Sequence, residues 1–177
     1  MTSLESAARA TPPYEWAIAP ILEGTIILMV CAVGLFLRNP LIFSSLGATA
    51  YEQIEKSRSK SARPYNIVVG HLAGLAAGFA SVALLNVWHD PAVLSVHQLS
   101  AGRMWAAVLA VVLTVLVNQL LKATQPAACS TSLLVALGSF SSWRDAMLIA
   151  GGVLLIVLVG EPLRRLRIRT TAPETLG

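Results

Sequence analysis

Three short polar runs interrupt otherwise apolar sequence, and they hold the residues able to do chemistry. The first is Asn39-Pro40, followed by Ser44, Ser45, Gly47 and Thr49. The second is Thr124-Gln125-Pro126, followed by Cys129, Ser130, Thr131 and Ser132. The third is Arg63-Pro64-Tyr65-Asn66, leading to Gly70-His71. Pro40 and Pro126 each suit the first position of a helix, with Asn39 in the first case and Thr124 or Gln125 in the second as caps. A helix N-terminus attracts anions through its free N–H groups and its dipole. Two such termini carrying hydroxyls suit a small monovalent anion without any buried lysine or arginine. A neutral solute would use the same donors.

Each candidate also has a purely structural reading. Ser45 and Thr49 stand four apart, so a helix places both hydroxyls on one face. A break at Gly47 would instead expose backbone N–H groups, which a membrane tolerates only inside protein or beside a water-filled cavity. Alternatively, the hydroxyls bond to the preceding turn or a neighbouring helix. His71 lies roughly 10 Å along a helix that begins at Pro64, at 1.5 Å per residue. It is either a ligand or proton carrier, or a neutral imidazole tying two helices together. Asn66 is either a cap or a ligand. Glu23 enters the first helix at a depth from which a carboxylate can snorkel to the interface or relay a proton.

The predicted binding set is Ser45, Gly47, Thr49, Asn66 and His71 from one side, with Ser130 and Thr131 from the other. His89, Asp90 and His97 lie in a loop without metal-ligand spacing, so no metal site is predicted. No cofactor is expected either. No nucleophile–base pair, phosphate-cradling loop or paired carboxylates occur, and an enzyme is not expected; Glu23 with His71 is the one carboxylate–histidine pair available.

The elements that must position these residues are helices in a bilayer. Of 177 residues, 55% are hydrophobic and 12% are charged. That charged share is about half of the roughly 25% usual for a soluble domain. Four long apolar stretches, Ile18–Leu37, Tyr65–Val87, Met104–Leu121 and Ala146–Gly160, approach or cross a core about 30 Å thick. Two shorter ones, Pro40–Tyr51 and Pro126–Phe140, open on proline. Small residues dominate, as in packed membrane helices, and no polar alternation suggests a β-barrel. Cys31 and Cys129 read as buried thiols.

Six segments bring the N-terminus, the loop EQIEKSRSKSAR, Lys122 and the tail RRLRIR to one face, leaving only Arg38, Arg103 and Arg144 opposite. Four segments would place the two basic clusters on opposite faces. The positive-inside rule therefore predicts six segments and both termini cytoplasmic, in a multi-pass protein of the inner membrane. The net charge of +4 follows from these clusters rather than from nucleic-acid binding. Each half runs long, short, long, so the expected fold is all-α, with two inverted three-helix repeats at about 18–87 and 103–162. Residues 1–17 read as a disordered lead-in ending at an interfacial Tyr14 or Trp16, and 163–177 as a basic tail. Gly70, Gly74 and Gly78 make a stripe for close packing, within the chain or on a second copy. The small perimeter favours a homodimer. Its partners would be the lipid bilayer and a small anion.

The run Ser45-Leu46-Gly47-Ala48-Thr49, then Arg63-Pro64-Tyr65-Asn66 and Gly70-His71, resembles the HPP family of integral membrane proteins over about residues 18 to 160. The family's His-Pro-Pro-Ala run corresponds to Thr124-Gln125-Pro126-Ala127, which keeps the last proline and the alanine. The resemblance implies a small helical membrane protein, often described with four helices, and transport of a small anion such as nitrite or nitrate. The rival class is a membrane scaffold or assembly partner, which would have a dry, packed centre instead of a polar cavity near Ser45 and Ser130.

Overall fold

The computed structural model describes residues 15–170; residues 1–14 of the expected lead-in and 171–177 of the expected tail lie outside the described residues, while 15–17, also expected in the lead-in, are already helix. Seven helices and no strand occur among them: α1 Glu15–Phe36, α2 Ser44–Ile54, α3 Pro64–Leu84, α4 Val93–Val96, α5 Ala101–Leu120, α6 Ala127–Ala136 and α7 Trp143–Thr170. Helices α1, α3, α5 and α7 are long and apolar enough to cross a membrane. Their outward faces carry Leu28, Leu35, Leu120 and Leu158, all exposed on the bundle. Such side chains belong against acyl tails. This is a multi-pass membrane protein.

Two boundaries differ from expectation for identifiable reasons. Helix α7 runs through Pro162 to Thr170. The basic cluster Arg164–Arg169 is therefore helix, not tail. Glu161 pairs there with Arg164 at 2.6 Å and Arg165 at 2.7 Å, and Arg164 also donates to the Ser57 carbonyl at 2.7 Å. The short helix α2 starts at Ser44, not at Pro40. The residue before a proline is pushed toward extended backbone, and residues 40–43 have no helical structure. Asn39 does not cap α2: its Nδ2 donates to the Leu37 carbonyl at 2.8 Å, and its Oδ1 accepts from Arg144 at 3.0 Å.

Glycines make room for this non-helical run, which turns at Pro40, where the Leu41 N–H donates to the Asn39 carbonyl at 2.9 Å. A Cβ at Gly34 would stand 2.9 Å from the Asn39 oxygen, and one at Gly152 2.5 Å from the Leu41 oxygen. The run thus carries the chain from the rim, beside Arg144, down to the middle of α7 before α2 begins.

The packing divides into two groups. Helices α1, α2 and α7 pack together, as do α3, α5 and α6. The groups touch through α3 against α7 and α2 against α6. Ile26, Val30, Leu46, Ala50, Ile54, Ile149, Val153 and Ile156 fill the larger core. Val82, Val87, Ala106, Ala110 and Ala136 fill the smaller. The glycine stripe of α3 is used inside the chain. A Cβ at Gly70 would run into Gln125, one at Gly74 into the Ala128 carbonyl, and one at Gly78 would lie 2.8 Å from Val135 Cβ. Helix α6 therefore occupies the face that a second copy would otherwise have used.

One end of the bundle gathers the basic residues. Tyr65 donates to the Leu121 carbonyl at 3.0 Å, Arg58 to the Ile168 carbonyl at 3.0 Å, and Arg164 to Ser57. The loop Lys56–Arg63, Lys122 and the end of α7 thus share one end, and Arg38, Arg103 and Arg144 lie toward the other.

Candidate functional site

Four side chains from three helices meet where α2, α3 and α6 converge. Ser45 Oγ lies 2.9 Å from Thr131 Oγ1. Thr131 Oγ1 lies 2.7 Å from His71 Nδ1. His71 Nε2 lies 2.9 Å from Thr49 Oγ1, and Thr49 donates to the Ser45 carbonyl at 2.9 Å. All four residues are 0% exposed.

The hydrogens in this ring can be assigned by counting. Thr49 has one proton, and it is used on the Ser45 carbonyl, so its oxygen must accept from His71 Nε2–H. No carboxylate stands beside the imidazole to balance a charge, and a bare buried cation is costly. A neutral imidazole has one N–H, so Nδ1 accepts, and Thr131 donates to it. Thr131 has then used its proton and accepts from Ser45. The ring runs Ser45 to Thr131 to His71 to Thr49 and closes on Ser45. Each of these protons has one acceptor.

Local sequence explains how each member arrives. Ser45 and Thr49 share a face because they are one helical turn apart. His71 follows Gly70, and the missing Cβ at Gly70, Gly74 and Gly78 lets α6 lie close enough for Thr131 to reach it. Ser45 and Thr131 each stand five residues after a proline, Pro40 and Pro126.

Three of the predicted residues fall outside the ring. Gly47 is on the outer face of α2, exposed, with nothing within 4 Å of where its Cβ would be. The helix continues unbroken through it, which leaves no free N–H there. Ser130 is half-buried and one residue round from Thr131, so α6 turns it away from the ring. Asn66 is buried but accepts from the Thr124 N–H at 2.8 Å, fixing the link into α6. Among the described residues, no three His, Cys, Asp or Glu side chains gather as metal ligands.

Sequence reasoning passed over a second buried polar centre. Arg103 is 3% exposed. It donates to the Ala136 carbonyl at 3.0 Å and the Asp90 carbonyl at 2.6 Å. Ser100 joins it by donating to Asp90 at 2.8 Å and accepting from the Arg103 N–H at 3.1 Å. The available signal was the short spacing of Asp90, Ser100 and Arg103 around a helix start.

Comparison with known proteins is consistent with this architecture. The family model describing the HPP transmembrane region matches residues 8–173. No curated protein and no solved structure gives a significant match.

Proposed function

The chain belongs to the HPP family of membrane proteins, and from that premise we propose that it passes a small monovalent anion, nitrite or nitrate, through the junction of α2, α3 and α6. The observation that carries this reading is the buried ring of Ser45, Thr49, His71 and Thr131. It holds four polar hydrogens and no fixed charge. Closed, it satisfies itself. Opened by a small separation of α2 from α6, it turns those donors toward a solute. An anion is stabilised by several neutral donors without being trapped by a buried cation. Movement is passive or proton-coupled, with no ATP-binding element.

The packing supports an inverted repeat as the frame for such opening. Exchange α1 with α5, α2 with α6 and α3 with α7, and each principal helix contact maps onto another or onto itself. In that exchange the α2–α6 and α3–α7 contacts map onto themselves, and Ser45 of α2 pairs with Thr131 of α6, its counterpart by count from the proline. Broken helices around a central site between such repeats are a recurring transporter design. We place the basic end in the cytoplasm, with the protein in the inner membrane.

Uptake into liposomes tests the reading, with nitrite, nitrate, formate and chloride compared. We expect nitrite and nitrate to enter, with His71→Ala abolishing flux and Gly47→Ala preserving it. No movement of any of the four by folded protein removes the proposal. The complete burial of the ring favours one alternative, a non-transporting scaffold for a larger membrane complex. That reading is left standing by folded protein without flux, and discarded by saturable uptake.

A further inference from the structure

A groove of about 610 Å³ runs along the outer face of α7 at the basic end of the bundle, and its lining includes Val157, Leu158, Glu161, Pro162, Arg165 and Arg169. Leu158, Pro162, Arg165 and Arg169 recur at helical spacing and fall in one exposed stripe. The short ring of Pro162 leaves that stripe recessed between the longer side chains of Leu158 and Arg165. Depth divides the groove. Leu158 belongs to the apolar run that closes at Gly160, whereas Arg165 and Arg169 lie about 10 and 16 Å farther along the axis at 1.5 Å per residue. The polar layer outside each side of a bilayer core is about 5–7 Å thick, and an arginine stem reaches back along the helix surface. The groove therefore has an apolar half at acyl depth and two guanidinium groups at the level of lipid phosphates.

The hydrogen bonds at this end leave positive charge over. Glu161, the one acid of the lining, is matched by Arg164, which donates Nε and Nη2 to its two oxygens at 2.6 and 2.9 Å. Arg164 spends its third nitrogen on the Ser57 carbonyl. Arg165 gives Glu161 only its Nε, at 2.7 Å, and both of its outer nitrogens remain unused. Arg169 has no hydrogen bond or ion pair among the described residues. Arg165 and Arg169 are one helical turn apart, so their free N–H groups can converge on a single anion. A guanidinium fork fits phosphate oxygens two at a time.

We infer that this face of α7 holds an anionic phospholipid of the phosphatidylglycerol class. Its phosphodiester meets Arg165 and Arg169, and one acyl chain lies along Val157, Leu158 and Pro162. A groove open to the bilayer is the shape such an occupant needs, because its tails must continue into the surrounding lipid. Charge selects among lipids: a zwitterionic headgroup brings its own cation to the same two arginines, and an anionic one does not. The C-terminal dipole of α7 opposes an anion, so the arginines alone carry the preference. This binding does not depend on whether solute crosses the ring.

The test is a lipid titration of the full chain in detergent, read by native mass spectrometry, with phosphatidylglycerol and phosphatidylcholine of identical acyl chains. Phosphatidylglycerol should bind at least fivefold more tightly. Arg165→Gln with Arg169→Gln should bring its affinity down to that of phosphatidylcholine. Both side chains are exposed, and Glu161 keeps Arg164, so this double variant retains its fold. Lys60→Gln with Lys122→Gln removes the same two charges from the same end but outside the groove, and should leave the preference intact. Equal affinity for the two lipids overturns the inference. So does an equal loss in both double variants, which would assign the preference to diffuse charge. Displacement of the lipid by millimolar glycerol 3-phosphate would assign the arginines to a soluble phosphate, and a preference confined to dimeric protein would assign this face to a second copy; either result overturns it as well.

Discussion

His71 Nδ1 accepts from Thr131 Oγ1 across 2.7 Å, and through this contact the long helix α3 is tied to the short helix α6 at the centre of the bundle. The direction of that bond fixes the rest of the ring. With Nδ1 as acceptor, the imidazole must carry its proton on Nε2, facing Thr49. Nitrogen-15 NMR of protein with His89 and His97 replaced by Gln should show one neutral imidazole, protonated at Nε2, at pH 7. A resonance from the Nδ1–H tautomer, or from imidazolium, contradicts the assignment.

Thr131 is the hydroxyl of the ring that both donates to one side chain and accepts from another. Thr131→Val keeps the shape and removes both roles, leaving His71 Nδ1 and the Ser45 hydroxyl without partners. Stranding a buried polar group costs about 1–3 kcal/mol. The variant should lose about that much stability in reversible SDS or thermal unfolding, and Thr131→Ser should recover most of it. Equal stability of the Val and Ser variants rules out the ring as a stabilising element.

Glycines offer a comparison within one protein. A Cβ at Gly74 collides with the Ala128 carbonyl, whereas one at Gly24 or Gly47 meets nothing within 4 Å. Gly74→Ala should therefore destabilise and loosen α6. Gly24→Ala and Gly47→Ala should be neutral or gain up to about 1 kcal/mol from helix propensity. Unfolding midpoints of the three variants decide this; destabilisation by Gly47→Ala matching that of Gly74→Ala undoes the packing argument.

Much of this was legible before any coordinates. Apolar length alone identified α1, α3, α5 and α7, and the spacing of Ser45 with Thr49 gave a shared face that the helix preserves. The Gly70–Gly78 stripe announced close packing, but not its partner, because small residues say how near a neighbour comes and not which neighbour it is. Gly47 and Ser130 were drawn into the predicted site by composition. A helix rotates about 100° per residue, so adjacent polar residues face different surroundings. Pro40 misled in the same way: a proline suits a helix start, but Gly34 and Gly152, distant in sequence, leave room for non-helical chain there instead.

The gathering of Lys56–Arg63, Lys122 and the end of α7 at one end of the bundle gives a labelling prediction. In a Cys31→Ser, Cys129→Ser background, single cysteines at Ser59 and Thr170 should react from the same side of sealed vesicles. A cysteine at Asn86 should react from the other side. Ser59 and Thr170 labelled from opposite sides would contradict the shared end.

Arg103 stabilises the opposite end through geometry as much as charge. Its guanidinium bridges two backbone carbonyls on separate segments, Ala136 at the end of α6 and Asp90 in the α3–α5 connection. It also sits against Gly138, whose φ of 83° and tight surroundings exclude a side chain. A cation near a helix C-terminus is favoured by the dipole, and a planar fork can serve two acceptors at once. Lysine carries the same charge on a single nitrogen and cannot reproduce that fork. Arg103→Lys should thus destabilise by about 1–3 kcal/mol, the cost of a lost charge-assisted bond and an orphaned carbonyl. Asp90→Asn should cost less, because Arg103 bonds the Asp90 main chain, which stays, and what changes is the Ser100 hydroxyl bond and the charge attraction between the Asp90 carboxylate and Arg103. Chemical unfolding of the two variants ranks them, and a larger loss for Asp90→Asn would show that the carboxylate, not the fork, holds this end together.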